Sequence, residues 1–90
     1  MEVYLSDKPS KRFVAIYNNK KYYFGSPTGY TYIDGADIKV KQNYVARHMA
    51  NETERYRIQN RIMSPALLSM MLLWNTRSIR KNIKILNKML

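Results

Sequence analysis

Cysteine is absent from this 90-residue chain, which excludes disulfides, thiolate nucleophiles and cysteine-based zinc sites together and is compatible with a reducing compartment. Histidine occurs once, at His48. Acids are scarce: six Asp and Glu face sixteen Lys and Arg, and none lies anywhere from Gln59 to the C-terminus. The longest apolar run, Pro65 to Trp74, is about half of the roughly 20 residues that a membrane span requires, so no transmembrane segment is expected. The opening Met-Glu-Val-Tyr-Leu-Ser-Asp has neither the basic start nor the apolar run of a signal peptide, and a soluble intracellular product is the expectation. No Gly-x-Gly-x-x-Gly fingerprint or P-loop is present, so the motifs support neither a nucleotide pocket nor a cofactor. Internal repeats, low-complexity tracts and long linkers are missing too. Residues 1–90 read as one small basic domain, mainly β over 1–35 and mainly α over 39–90.

What is abundant is positive charge, +10 in all, and it is unevenly placed. Residues 1–40 carry six bases and four acids, residues 41–90 ten bases and two acids, so the halves stand at +2 and +8. A chain of this size buries only roughly 60% of its unfolded surface, and partners can supply part of its stability. The asymmetry points to an anionic partner, with a merely solvated basic face as the plain alternative.

The last fifteen residues, Thr76 to Leu90, sharpen this. Read as one helix, they place Ile79, Ile83, Leu86 and Leu90 on one stripe and Arg77, Lys81, Lys84 and Lys88 on another, about 180° away at about 100° per residue. With no acid in the segment, i,i+4 ion pairs cannot neutralise the basic stripe, although a carboxylate from elsewhere in the fold still can.

Upstream, Val3 and Leu5 alternate with Tyr4 in a short strand. Arg12 to Tyr17 and Lys20 to Phe24 form a hairpin about an Asn18-Asn19 turn, because asparagine tolerates the positive φ angles of a two-residue loop. That turn pairs Phe13 with Phe24 and Ala15 with Tyr22 on the face better suited to a core, and Val14 with Tyr23 and Ile16 with Lys21 on the other. Tyr30 to Ile33 reads as one more extended segment before an Asp34-Gly35 turn. A helix is expected from near Lys39 to near Ile58, with Glu52/Arg55 and Glu54/Arg57 as i,i+3 pairs. Ser64-Pro65 starts an apolar helix through Trp74, and Asn75-Thr76 end it and cap the last one. The fold class is α+β, an N-terminal hairpin or three-stranded antiparallel sheet packed by about three helices.

Chemistry-bearing groups are few. His48 and Glu52 share a helix face, but two ligands make no metal site, and a Tyr44–His48–Glu52 hydrogen-bonded group is the simpler reading. No nucleophile or oxyanion device stands beside them, so no catalytic residue is assigned. Arg47 suits a structural ion pair with Glu54 or Asp37, or a phosphate contact. Six of the eight tyrosines lie at or before Tyr32, interleaved with Lys11, Arg12, Lys20 and Lys21; they fit a thin core or a stacking surface for single-stranded nucleic acid. Met63, Met70, Met71 and Met89 suit adaptable core packing, although the apolar helix can leave surface for a protein partner.

In order, Lys11-Arg12-Phe13, Asn18-Asn19-Lys20, Phe24-Gly25, the block Tyr44-Val45-Ala46-Arg47-His48, Glu52, Leu72-Leu73-Trp74-Asn75 and Ser78-Ile79 resemble a family of small uncharacterised proteins of large nucleocytoplasmic DNA viruses. The resemblance covers roughly residues 11 to 85. The chain departs from it with Asn19 where the family usually has glycine, Tyr56 where tryptophan is expected and Ser64-Pro65 where a glycine turn is common. The resemblance implies a viral origin and an accessory or structural role, in the virion and infected host cell cytoplasm. It implies no activity, cofactor or catalytic residue.

The expectation is therefore a non-enzymatic structural or packaging protein, with no small-molecule substrate, that binds nucleic acid through Arg77, Arg80, Lys81, Lys84 and Lys88, helped by Arg55, Arg57 and Arg61. Tyr44, Arg47, His48, Glu52 and Trp74 serve as structural anchors. The alternative is a minor capsid or cement protein whose basic helix docks acidic patches of other virion proteins, as part of an oligomer or assembly, with Trp74 and the methionines as apolar contact.

Overall fold

Asn18 and Asn19 adopt φ of 50° and 63°, the left-handed pair that a tight hairpin needs, and they fix the register of the strands on either side. In the computed structural model, which describes residues 1–90, β2 (Phe13–Tyr17) and β3 (Lys20–Phe24) pair antiparallel with Phe13 opposite Phe24, Val14 opposite Tyr23, Ala15 opposite Tyr22 and Ile16 opposite Lys21. β1 (Glu2–Leu5) adds to the free edge of β2 with Val3 opposite Ala15, giving the order β1-β2-β3. Alternation puts Phe13, Ala15 and Phe24 into the core, with the Phe13 and Phe24 rings stacked at 5.6 Å. Val14 is buried as well, on the opposite face, between its cross-strand neighbours Tyr4 and Tyr23.

After the sheet the chain departs from the expected extended segment. Tyr32–Asp34 is a 3-10 turn, because the Asp34 carboxylate reaches back to the Thr31 amide (2.9 Å) and hydroxyl (2.7 Å) and Gly35, at φ 112°, closes the turn. α1 (Ile38–Ala50) follows, its first turn capped by the Asp37 carboxylate accepting from the Val40 amide.

The long helix expected to run to Ile58 is broken. Asn51 is extended (φ −81°, ψ 118°), and its side chain accepts from the Glu54 amide and starts a second helix, α2 (Glu52–Gln59). The turn after α2 places Arg61 in the left-handed region, with the Ile62 amide donating to the Arg57 carbonyl at 2.9 Å. The helical segments therefore number four rather than about three.

Ser64 and Pro65 do start a helix: the serine oxygen accepts from the Leu67 amide above α3 (Pro65–Leu68). The segment then continues as a π turn, Ser69–Leu73. Widening from i→i+4 to i→i+5 bonding brings residues five apart toward one side, which suits the buried pairs Leu67/Leu72 and Leu68/Leu73.

α4 (Ile79–Met89) is capped by Ser78, which accepts from the Lys81 amide, and not by Asn75-Thr76. Thr76 has another partner. The fully buried Asn82 donates to the carbonyls of Leu72 (2.9 Å) and Thr76 (3.1 Å) and accepts from the Thr76 amide (3.0 Å) and hydroxyl (2.6 Å), so its amide group is saturated. Phe13, Phe24, Leu67, Leu68, Leu72, Leu73, Trp74 and Leu86 form one hydrophobic cluster between the sheet and the helices. No helix is long and apolar enough to cross a membrane.

Candidate nucleic-acid interface

α4 displays the two faces that its spacing implies. Leu86 is fully buried and Ile79 and Ile83 pack against the core, while Arg80, Lys81, Lys84 and Lys88 are exposed. Leu90, expected at the end of the apolar stripe, lies beyond the helix and is exposed. Lys81, Lys84 and Lys88 mark out about 10 Å of helix axis at 1.5 Å per residue, comparable to about three phosphate steps of a duplex strand. The protein has two ion pairs, Arg12–Asp34 and His48–Glu54. Neither involves a cation of α4.

The remaining expected cations behave differently from one another. Arg77 lies 4.1 Å over the Tyr32 ring and donates to the Tyr32 carbonyl at 3.2 Å, so it packs the start of α4 onto the 3-10 turn as well as adding charge. Lys41 of α1 joins it on Tyr32, 4.6 Å from the ring centroid, and donates to the Asn75 carbonyl. Arg55 is half-buried and donates to the Met49 carbonyl at 3.1 Å, which satisfies the exposed end of α1. Arg57 and Arg61 are exposed. Because α2 packs chiefly on α1 and α3, and α4 on the π turn, the eight cations fall into two groups.

The anchor residues assemble around a different set of partners from those expected. Tyr44 lies flat on Trp74, with centroids 4.2 Å apart and planes 11° apart, and His48 leans on the same tyrosine at 4.1 Å. Burial raises the Tyr44 phenol above its ordinary range, and the nearby Glu54 charge adds to that. His48 Nδ1 meets Glu54 at 2.5 Å, not Glu52, because the break at Asn51 rotates Glu52 out to solvent. Arg47 makes no ion pair: Asp37 caps α1, Glu54 holds His48, and the guanidinium sits 5.8 Å above the Tyr44 ring. The expected Glu52/Arg55 and Glu54/Arg57 pairs do not form either. His48 and Glu54 are joined by no third imidazole or carboxylate, so the pair falls short of a metal-ligand set.

The long-range ion pair is instead Arg12–Asp34, two parallel hydrogen bonds of 2.6 Å that tie the sheet to the 3-10 turn. Half of this was readable in advance, since Thr31-x-x-Asp34 has the spacing of a capping box. Its partner, 22 residues away, carries no local signal.

Between the Gly25–Pro27 turn and the α1, α2 and α3 side of the helical layer lies an open cleft of about 520 Å³, whose walls include Lys11, His48, Glu54 and Arg57. A second hollow of about 210 Å³ adjoins it at Tyr44 and Ser69, with Arg47 and Trp74 on its wall. Gly25 makes the close approach possible: at φ 84° its Cα faces the Arg12 Cβ and Leu73 Cδ1, which an added Cβ would meet at 3.2 and 3.3 Å.

These features define a small basic α+β protein with a cation-faced terminal helix. The chain belongs to a family of unknown function, DUF5754, which matches residues 1–48 and so takes in the sheet, the 3-10 turn and most of α1. It is also 39% identical over 80 residues to an uncharacterised protein of Acanthamoeba polyphaga mimivirus, an alignment covering 82% of this chain and 80% of that one. No solved structure matches it.

Proposed function

We propose that this chain is a small non-enzymatic structural or packaging protein of a large DNA virus, and that it binds nucleic acid through the basic face of α4. The observation that carries this reading is an exposed row of Arg80, Lys81, Lys84 and Lys88, none of which forms an ion pair. Such a row attracts a polyanion by releasing its condensed counterions, and it contacts the backbone rather than base edges. Binding is accordingly independent of sequence, and the protein resides in the virion and the infected host cell cytoplasm. The mimivirus relative supports the viral setting.

One observation favours a second reading, a minor capsid or cement protein that docks acidic virion proteins. Ile38 and Val40 on α1 and Tyr56 on α2 are exposed apolar groups that a protein partner can cover. Trp74 is buried, and Met63, Met70, Met71 and Met89 are half-buried and present only part of their side chains to such a partner.

A salt titration of DNA binding, run beside a virion-incorporation assay, separates the two. Three phosphate contacts give a log-log slope of about −2.7 and a loss of about 40-fold in affinity between 50 and 200 mM salt. Reversing Lys81, Lys84 and Lys88 to Glu together should flatten that slope and weaken binding to unrelated sequences about equally. DNA binding that is absent in the wild type, or unchanged in the triple variant, removes the packaging reading; loss of virion association alone favours the capsid one.

A further inference from the structure

The cleft beside α1 is a second candidate site, separate from the α4 face. It is built from five places in the chain: the Ser10-Lys11 turn before β2, the Gly25–Pro27 turn after β3, α1, α2 and the α3 segment. Hydroxyls from Ser10, Ser26 and Ser69 line it beside about as much apolar as polar surface, which suits a ligand that has both an ionic group and a ring. The charge of the cleft is positive. Lys11 and Arg57 face the larger hollow and Arg47 the smaller, three cations against the single carboxylate of Glu54, which His48 already engages.

Size narrows the ligand. About 520 Å³ falls within the roughly 300–1,000 Å³ of small-molecule sites and is far more room than one inorganic anion fills. The back wall supplies a flat surface for the rest of such a ligand, since His48 leans on the Tyr44–Trp74 stack and its ring remains partly accessible. Lys11 and Arg57 are both exposed and both free of ion pairs, so an anion meets them without first displacing a carboxylate.

We propose that this cleft binds a phosphomonoester the size of a nucleoside monophosphate, with the phosphate between Lys11 and Arg57 and the ring portion against His48. The Ser10 and Ser26 hydroxyls supply further donors to the phosphate oxygens. The same chemistry is offered by a free nucleotide and by the phosphorylated end of a strand. The site does not depend on the α4 reading.

The test is a titration of the full-length protein with adenosine monophosphate, inorganic phosphate and adenosine, followed by calorimetry and by amide and imidazole NMR shifts. Adenosine monophosphate should bind more tightly than either fragment and shift His48, Ser26 and Arg57. The Lys11→Ala/Arg57→Ala double variant should lose about tenfold or more in affinity, as expected for two charge-assisted contacts. A control that removes the same charge at the hairpin tip, Lys20→Ala/Lys21→Ala, should bind as the wild type does, as should the α4 triple variant. Thermal melts of all variants confirm that the exposed substitutions leave the fold intact. Oligonucleotides with 5′-phosphate and 5′-hydroxyl ends then distinguish the source: preference for the phosphorylated end supports a strand terminus, and equal binding of the two, with adenosine monophosphate still bound, supports a free nucleotide. The proposal is overturned if adenosine binds as well as its phosphate, if the shifts fall outside the cleft, or if the hairpin control loses as much affinity as the cleft variant.

Discussion

Arg12 holds Asp34 in a bidentate grip, two 2.6 Å hydrogen bonds that bind the start of β2 to the 3-10 turn, with each side chain about three-quarters buried. Because Arg12 also donates its backbone amide to the Gly25 carbonyl, one residue fixes both the end of the hairpin and the segment that leads into α1.

This pair makes stability depend on pH in a defined direction. The Arg12 guanidinium, assisted by the Thr31 amide and hydroxyl, holds the Asp34 carboxyl well below the usual carboxylate range. A depressed pKa stabilises the fold fully above the unfolded value, near 3.8, and the contribution is lost as pH falls through and below it. Asp34→Asn should therefore melt lower than the wild type at pH 6, and the gap should narrow steadily from about pH 4 downward. A gap that stays constant from pH 6 to pH 2 would show that the carboxylate charge is not what the turn uses.

The opposed faces of α4 predict opposite tolerances. Leu86→Asp places an unpaired charge in the core and should cost several kcal/mol, a large share of the roughly 5–13 kcal/mol expected for 90 residues. Ile83→Asp, at a half-buried position, should cost less, and Lys84→Asp should stay within about 0.5 kcal/mol. Equal losses in thermal melts would contradict the arrangement.

Asn82 should resist every simple replacement. Its four hydrogen bonds go to the Leu72 and Thr76 backbone and the Thr76 hydroxyl, groups that remain in place when the side chain is removed. Asn82→Ala and Asn82→Leu should each destabilise by about 2–4 kcal/mol in denaturant titrations, since an apolar side chain leaves buried carbonyls unpaired. An Asn82→Leu protein as stable as the wild type would mean that the segment rearranges around the change.

Arg61 offers a way to remove charge without harming the fold. Its φ of 53° is one that glycine adopts freely, so Arg61→Gly should keep or raise the melting temperature, by up to about 1 kcal/mol of relieved strain. If Arg61 also contacts DNA, the same variant should lower affinity and reduce the salt slope by about 0.9.

Periodicity made much of this fold legible. The Asn18-Asn19 turn and the alternation around it set the hairpin register, and the 3.6-residue rhythm of Ile79, Ile83 and Leu86 set the orientation of α4. Where the reading failed, a local cap had outweighed a long pattern: Asn51 and Thr31 each begin a new turn, and Asn51-x-x-Glu54 and Thr31-x-x-Asp34 carried that signal. Partner identity is a different matter. Spacing says which face a side chain occupies but not what stands opposite, so Arg12–Asp34, Thr76–Asn82 and the exchange of Glu52 for Glu54 at His48 were not readable. The basic row on α4 was visible because one helix carries it; the cleft was not, because its residues meet only through the tertiary fold.

The absence of any buried residue from α1 and α2 has a kinetic consequence. This arm is tied to the core through the packing of α2 on α3, the Tyr44–Trp74 stack and the Tyr32 contacts, whereas the sheet, the π turn and α4 share the apolar cluster. Detaching it exposes little apolar surface, so its backbone amides should exchange with solvent through a partial opening, ahead of those of β2 and the Leu72 region, which require global unfolding. Since α1 and α2 supply one wall of the cleft, a ligand seated there would slow exchange in the arm selectively and leave the core amides of the sheet at their original rate.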